Sequence, residues 1–225
     1  MFKETENPFD FNGNIVCCSA VFSFDLINSD LKFRLPRALD QTTEKRKAEY
    51  LASRLCAEKA LDILTPGTKK TSVFNAPDRS PVWPDKITGS LTHSGNFTST
   101  AVALKQTIKS IGIDSEEIIS EEVANEVCTI VLSPSELARF SQHWSQKLLV
   151  TTAFSAKESI FKCLYPLVNK FFGFNDAEIL TLDRNSGVFQ AVLKTKLDDD
   201  FIIDYPLNGH LKITPTYVHT ALILK

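Results

Sequence analysis

The sequence predicts an α+β protein of two similar halves, each a small, mainly antiparallel sheet packed with one long helix. Three observations carry this. Short apolar runs bounded by turn residues recur along the chain, two long stretches have helical composition, and the order strand, helix, strands occurs twice with a junction near residue 107. Residues 1–107 then form an N-terminal half and 108–225 a C-terminal half. With 225 residues, 43% of them hydrophobic, and 16 phenylalanines, the chain can bury one substantial core or two smaller ones.

Asn14 to Phe24, rich in Val, Ile, Phe and Cys, reads as a buried strand between Gly13 and the turn residues Asn28-Ser29-Asp30. Thr43 to Leu64 reads as a helix: it lacks Pro and Gly, is dense in Ala, Leu, Glu, Lys and Arg, starts at a threonine cap and stops at Pro66-Gly67. Thr65 to Gly89 contains Pro66, Pro77, Pro81 and Pro84 and reads as largely loop. Phe97 to Lys105 and Thr107 to Ser115 read as strands, loosely a hairpin through Lys105-Gln106. A helical region follows from Ser120 to Ser141, broken near Ser133-Pro134. The main helix is expected over Gln146 to Lys170, with Pro166 ending or kinking it near Tyr165. Strands at Glu178 to Asp183, Gly187 to Lys196, Phe201 to Tyr205 and Tyr217 to Leu224 complete the chain.

Composition excludes several function classes. A net charge of −2 argues against nucleic-acid binding through the global field, so an anionic ligand must be held by a local site. The N-terminus has no basic segment followed by an apolar core, and no stretch approaches ~18 consecutive apolar residues, so neither export nor a transmembrane segment is expected. The five cysteines, Cys17, Cys18, Cys56, Cys128 and Cys163, are odd in number and lack CxxC spacing. Reduced thiols in a cytoplasmic protein are the expectation.

Four constellations carry chemistry. Asp114 and Glu116 end an apolar strand two residues apart, leaving one face with Cα atoms about 7 Å apart, which suits either a hard cation or an acidic cap for the next helix. On a helical wheel Ala153, Phe154, Ile160, Phe161 and Leu164 form an apolar face with Lys157 near its middle, where a lysine must snorkel, pair or reach a ligand. Glu158 and Lys162, at i and i+4 beside that face, can be neighbours in a site or an ordinary surface pair. Arg46, Tyr50 and Arg54 form a stripe on the first helix, able to grip a phosphate or simply to face solvent. Gly89 to Asn96 places Thr92, His93 and Ser94 between glycines, which suits a turn whose hydroxyls, amides and imidazole face an anion.

In this order the segments resemble the 4′-phosphopantetheinyl transferase superfamily, most closely its enterobactin synthase component D branch, over nearly the whole chain. The resemblance rests on Lys45-Arg46-Lys47-Ala48-Glu49 through Arg54-Leu55-Cys56-Ala57, then Pro81-Val82-Trp83-Pro84 with Gly89 to Ser94, then Gly112-Ile113-Asp114-Ser115-Glu116, then Phe154-Ser155-Ala156-Lys157-Glu158-Ser159 with Lys162. Many relatives carry Trp at the place of Phe154 and an apolar residue at that of Ser115. Ser115 is on the strand face opposite the carboxylates, so weaker packing is expected there.

The resemblance implies a pseudo-twofold monomer with its active site in the cleft between the halves. It implies transfer of the phosphopantetheine arm of coenzyme A to a serine of an acyl or peptidyl carrier protein, with Mg²⁺, for siderophore or other nonribosomal peptide or polyketide biosynthesis. Asp114, Glu116 and Glu158 would hold Mg²⁺; Glu158, Lys162 and Lys157 would be catalytic. Arg46, Arg54, Arg79, Thr92, His93, Ser94, Lys157 and Lys162 would hold coenzyme A. A cytoplasmic enzyme is implied, with peripheral association with a synthase complex left open. The competing reading is a non-catalytic module that binds coenzyme A or a carrier domain.

Overall fold

The computed structural model describes residues 1–225 apart from 10, 12 and 68–71. The chain is α+β and divides into two compact units, Met1–Ile111 with Lys225, and Gly112–Leu224. No helix among the described residues is long and apolar enough to cross a membrane.

The first unit contains β1 (Phe2–Thr5), β2 (Val16–Phe22), α1 (Glu44–Leu64), β3 (Phe74–Asn75), β4 (Pro81–Val82), β5 (Ile87–Ser94) and β6 (Phe97–Leu104). Its four-stranded sheet has the order β1-β2-β6-β5, with each neighbouring pair antiparallel. Thr43 starts α1 by accepting a hydrogen bond from the Arg46 amide, as the sequence predicts. The helix buries Cys56, Ala57, Ala60 and Leu61 against Cys18, Ala20 and Val102 of the sheet. Small side chains on the helix let it lie close to the strands.

Two expectations for this unit change. The proline-rich stretch contains a short antiparallel hairpin, with Phe74 opposite Val82 and Asn75 opposite Pro81. Thr68 to Thr71, part of the expected loop, lie outside the described residues. Gly89 to Ser94 is strand rather than turn, and the reversal comes at Gly95, with φ of +56°. The sequence signal at Gly89 has another cause: a Cβ there would stand 2.9 Å from the Trp83 ring and from the Ala101 carbonyl oxygen. Glycine is required by that close approach and not by a turn.

From the unit boundary onward come β7 (Ser110–Glu117), α2 (Glu121–Val131), α3 (Pro134–Phe140), α4 (Gln146–Val168), β8 (Ala177–Asp183), β9 (Val188–Leu193), β10 (Pro206–Ile213) and β11 (Tyr217–Leu224). The five-stranded sheet has the order β7-β11-β10-β9-β8. α4 buries Ala153, Ala156, Ile160 and Leu164 in a core shared with Phe189, Leu207, Val218 and Leu222.

β6 and β7 do not form a hairpin, because β6 pairs with β2 and β5 while β7 joins the other sheet beside β11. Phe201 to Tyr205 is turn, and the strand is β10, which follows it. β10 alternates buried Leu207, Gly209 and Leu211 with exposed Asn208, His210 and Lys212. So few large apolar residues give it a weak sequence signal. Pro166 does not end α4, which runs to Val168 and stops where Asn169 turns left-handed at φ of +48°. There the Asn169 amide donates to the Tyr165 carbonyl at 2.8 Å, closing the last turn.

Candidate functional site

The acidic group of the second unit is built by a glycine. A Cβ on Gly112 would lie 1.9 Å from the Ser159 carbonyl oxygen and 2.6 Å from the Cys163 nitrogen, so the bare strand lets α4 rest directly on β7. Asp114 is two residues on and leaves the same strand face, toward the same helix. It is 1% exposed, and Lys162 on α4 donates to its Oδ1 at 2.5 Å.

Glu158 stands one helical turn before Lys162 and Glu116 two residues beyond Asp114, so both act on the same ammonium. Burial works against the charge of Lys162, but the charge and hydrogen bond of Asp114, together with Glu158 and Glu116, raise its pKa above the ordinary lysine value. Burial raises Glu158 above the ordinary carboxylate range; Lys162 offsets part of this and Asp114 adds to it. Among the described residues no three His, Cys, Asp or Glu side chains already stand together as ligands of one ion. Asp114 is instead engaged with Lys162. The pairing expected between Glu158 and Lys162 along the helix gives way to this tighter one.

Lys157 is placed differently from its expected role. Its side chain is 2% exposed, and its ammonium donates to Glu136 Oε2 and to the Val131 carbonyl, both at 2.8 Å. Burial lowers its pKa while Glu136 opposes that change. The lysine on an apolar helix face therefore resolves by pairing, and its ammonium is spent on structure instead of on a ligand.

Glu136 was not among the expected site residues. The signal that could have found it is Ser133-Pro134-Ser135-Glu136, a capping box with proline in the first turn. Such a carboxylate near a lysine that needs a partner is a candidate for the pair.

Beside Glu158 a groove of about 240 Å³ is lined by Lys157, Phe161, Phe171, Phe172 and Phe174. Phe172 is buried, whereas Phe171 is 77% exposed. Phe154 packs on Phe174 with ring centroids 5.3 Å apart, in keeping with a packing role.

The first unit gathers a basic group. Arg46 Nη1 donates to His93 Nε2 at 2.8 Å, which leaves the proton on Nδ1, 3.6 Å from Glu49 Oε2. Glu49, given no site role in the sequence reading, thus stands beside the imidazole and accepts from Arg46 Nη1 at 3.4 Å. Arg54 is buried, with its guanidinium 4.5 Å over the Tyr50 ring and bonded to Ser53 and Asn75, so the stripe on α1 is not a solvated face. Arg54 Nε is buried with no hydrogen-bond partner among the described residues. Thr92 is buried and Ser94 half-buried, flanking His93 on β5. Arg79 is exposed at the turn of the β3–β4 hairpin, at φ of +71°.

Ser115 does not weaken β7. Its hydroxyl hydrogen-bonds the Nδ1 of buried His219 on β11 at 2.9 Å. Burial, with the charge of Lys212 adding, pushes His219 down to about 4 from 6.5. The folded state therefore holds it neutral while the unfolded chain takes up a proton below 6.5. About 3 kcal/mol of stability is lost as the pH falls from about 6.5 to about 4, with no further loss from this group below that. Urea unfolding at pH 7.5 and 5.0 should show a smaller acid loss in His219→Gln than in wild type. Equal losses would remove His219 as a source.

Residues 35–104 match the 4′-phosphopantetheinyl transferase N-terminal domain, and residues 110–210 match the 4′-phosphopantetheinyl transferase superfamily. Enterobactin synthase component D of Escherichia coli K12 is 33% identical over 177 residues, covering 78% of this chain and 79% of the relative. The chain belongs to the 4′-phosphopantetheinyl transferase superfamily. The 4′-phosphopantetheinyl transferase PptT of Mycobacterium tuberculosis is 29% identical over 194 residues, covering 82% of each chain. Among solved structures, Thermotoga maritima holo-[acyl-carrier-protein] synthase overlaps 51% of this chain and 62% of its own, at 23% identity and a TM-score of 0.40. Asp114, Glu116, Glu158 and Lys162 all lie inside the superfamily match, and Arg46, Arg54 and His93 inside the N-terminal domain match.

Proposed function

We propose that this transferase moves the phosphopantetheine arm of coenzyme A onto a serine of an acyl or peptidyl carrier protein, with Mg²⁺, in the cytoplasm and as a monomer. The pathway would be siderophore or other nonribosomal peptide or polyketide synthesis. The observation that carries the reading is the Lys162 ammonium held by buried Asp114, with the charges of Glu158 and Glu116 also acting on it, within the superfamily match.

The donors fit magnesium. Carboxylate oxygens are the hard ligands that this ion takes, and three carboxylates against one ammonium leave excess negative charge for a divalent cation to balance. Asp114, Glu116 and Glu158 would hold it. Bound there, Mg²⁺ would polarise the pyrophosphate of coenzyme A and balance charge developing on it.

The chain's own groups then divide the work. The serine oxygen bonds to the phosphorus that carries the pantetheine, and the bond from that phosphorus to the bridging oxygen breaks. Adenosine 3′,5′-bisphosphate leaves with the electron pair. Glu158 takes the hydroxyl proton, directly or through water. Lys162 offsets phosphate charge, and Asp114 holds its ammonium in place. Arg46, Arg54 and His93 would take the 3′-phosphate end, with Thr92, Ser94 and Arg79 as polar contacts. Exposed Phe171 beside the groove is a candidate for carrier selectivity.

Incubation with coenzyme A, Mg²⁺ and a panel of apo carrier domains should add one phosphopantetheine to at least one carrier by intact mass. No mass gain on any carrier would overturn the proposal.

A further inference from the structure

Glu136 is fully buried, yet it lies in α3, away from every sequence motif of the superfamily quoted above. Its Oε2 accepts from the Ser133 amide at 2.7 Å and from the Lys157 ammonium at 2.8 Å, and its Oε1 accepts from the Ile179 amide at 2.7 Å. One carboxylate thus joins the cap of α3, the middle of α4 and strand β8. Lys157 extends the tie to the end of α2 through the Val131 carbonyl.

We propose that Glu136 is a positioning residue for the transferase reaction, holding Lys157 so that α4 presents Glu158 and Lys162 to Asp114. The inference rests on the transferase reading given above. A helix turns by a fixed angle at each residue, so anchoring the Lys157 side chain sets the azimuth of the neighbouring Glu158 and, one turn on, of Lys162. The anchor also decides where a buried cation goes. Lys157 and Glu158 border the same aromatic groove, and an ammonium released from Glu136 has the carboxylate of Glu158 within that groove as an alternative partner.

Stability alone is a poor reason for such a pair. Well-packed apolar side chains of similar volume commonly serve a core as well as a buried ion pair or better, whereas losing one partner strands a charge. What apolar side chains cannot supply is a directional bond from α4 to three other elements at once.

Glu136→Gln keeps the size and acceptor oxygen but not the charge. It should lower kcat by about tenfold or more, with KM for coenzyme A within about twofold of wild type. Hydrogen exchange of the Ser155–Lys162 amides should rise in parallel. Glu136→Gln combined with Lys157→Met removes the stranded charge and should recover much of both the kcat and the protection. Wild-type kcat in Glu136→Gln, or a double variant no better than the single one, would overturn the proposal. If the single variant does not fold, the double variant decides: folded with kcat within about tenfold of wild type supports it, and folded but inactive overturns it. Wild-type protein that modifies no carrier would instead defeat the transferase reading, and the exchange measurement tests the positioning in either case.

Discussion

Glu158→Ala is expected to lower carrier modification at least ~10²-fold while the protein melts at or above the wild-type temperature. The two effects separate because of where Glu158 stands. Burial already raises its pKa, and Asp114 raises it further, so the carboxylate is held at an electrostatic cost that its removal relieves. What is lost is the group proposed both to hold the cation and to take the serine proton. Glu116→Ala should show a comparable fall in rate, since Glu116 is the other carboxylate acting on Lys162 beside Asp114. Near-normal turnover in either variant would remove that residue from the site.

Gly112→Ala is expected to cost about 2–3 kcal/mol in stability and to lose activity with it. Glycine to alanine in a strand ordinarily helps by restricting the unfolded chain. Here the new methyl meets backbone atoms of α4, at the Ser159 carbonyl and Cys163 nitrogen, and neither can rotate aside. The helix must lift from β7, which separates Lys162 from Asp114. Urea unfolding and turnover measured together test this. A variant within ~0.5 kcal/mol of wild type and fully active would mean that the close approach is not needed.

The two long helices and most strands were legible because periodicity and caps are local signals, as at Thr43. β10 was not, since its fully buried positions are only Leu207, Gly209 and Leu211. Gly89 misled because a glycine needed beneath an indole reads the same as one needed for a turn. Asp114, Glu158 and Lys162 could be grouped from motif order, and the Arg46–His93 contact likewise. Glu136 and His219 could not be paired with Lys157 and Ser115, because each partnership spans distant elements and depends on register. Lys157 was legible as an anomaly on an apolar face, but not as to which of its three resolutions the fold selects.

Asp114, Glu116 and Glu158 are proposed to form one metal site. Electron paramagnetic resonance of Mn²⁺ added to the protein with coenzyme A tests it most directly. The wild-type chain should hold a single ion in competition with Mg²⁺, and Asp114→Ala, Glu116→Ala and Glu158→Ala should each weaken that binding while remaining folded. Unchanged binding in all three variants would contradict the assignment.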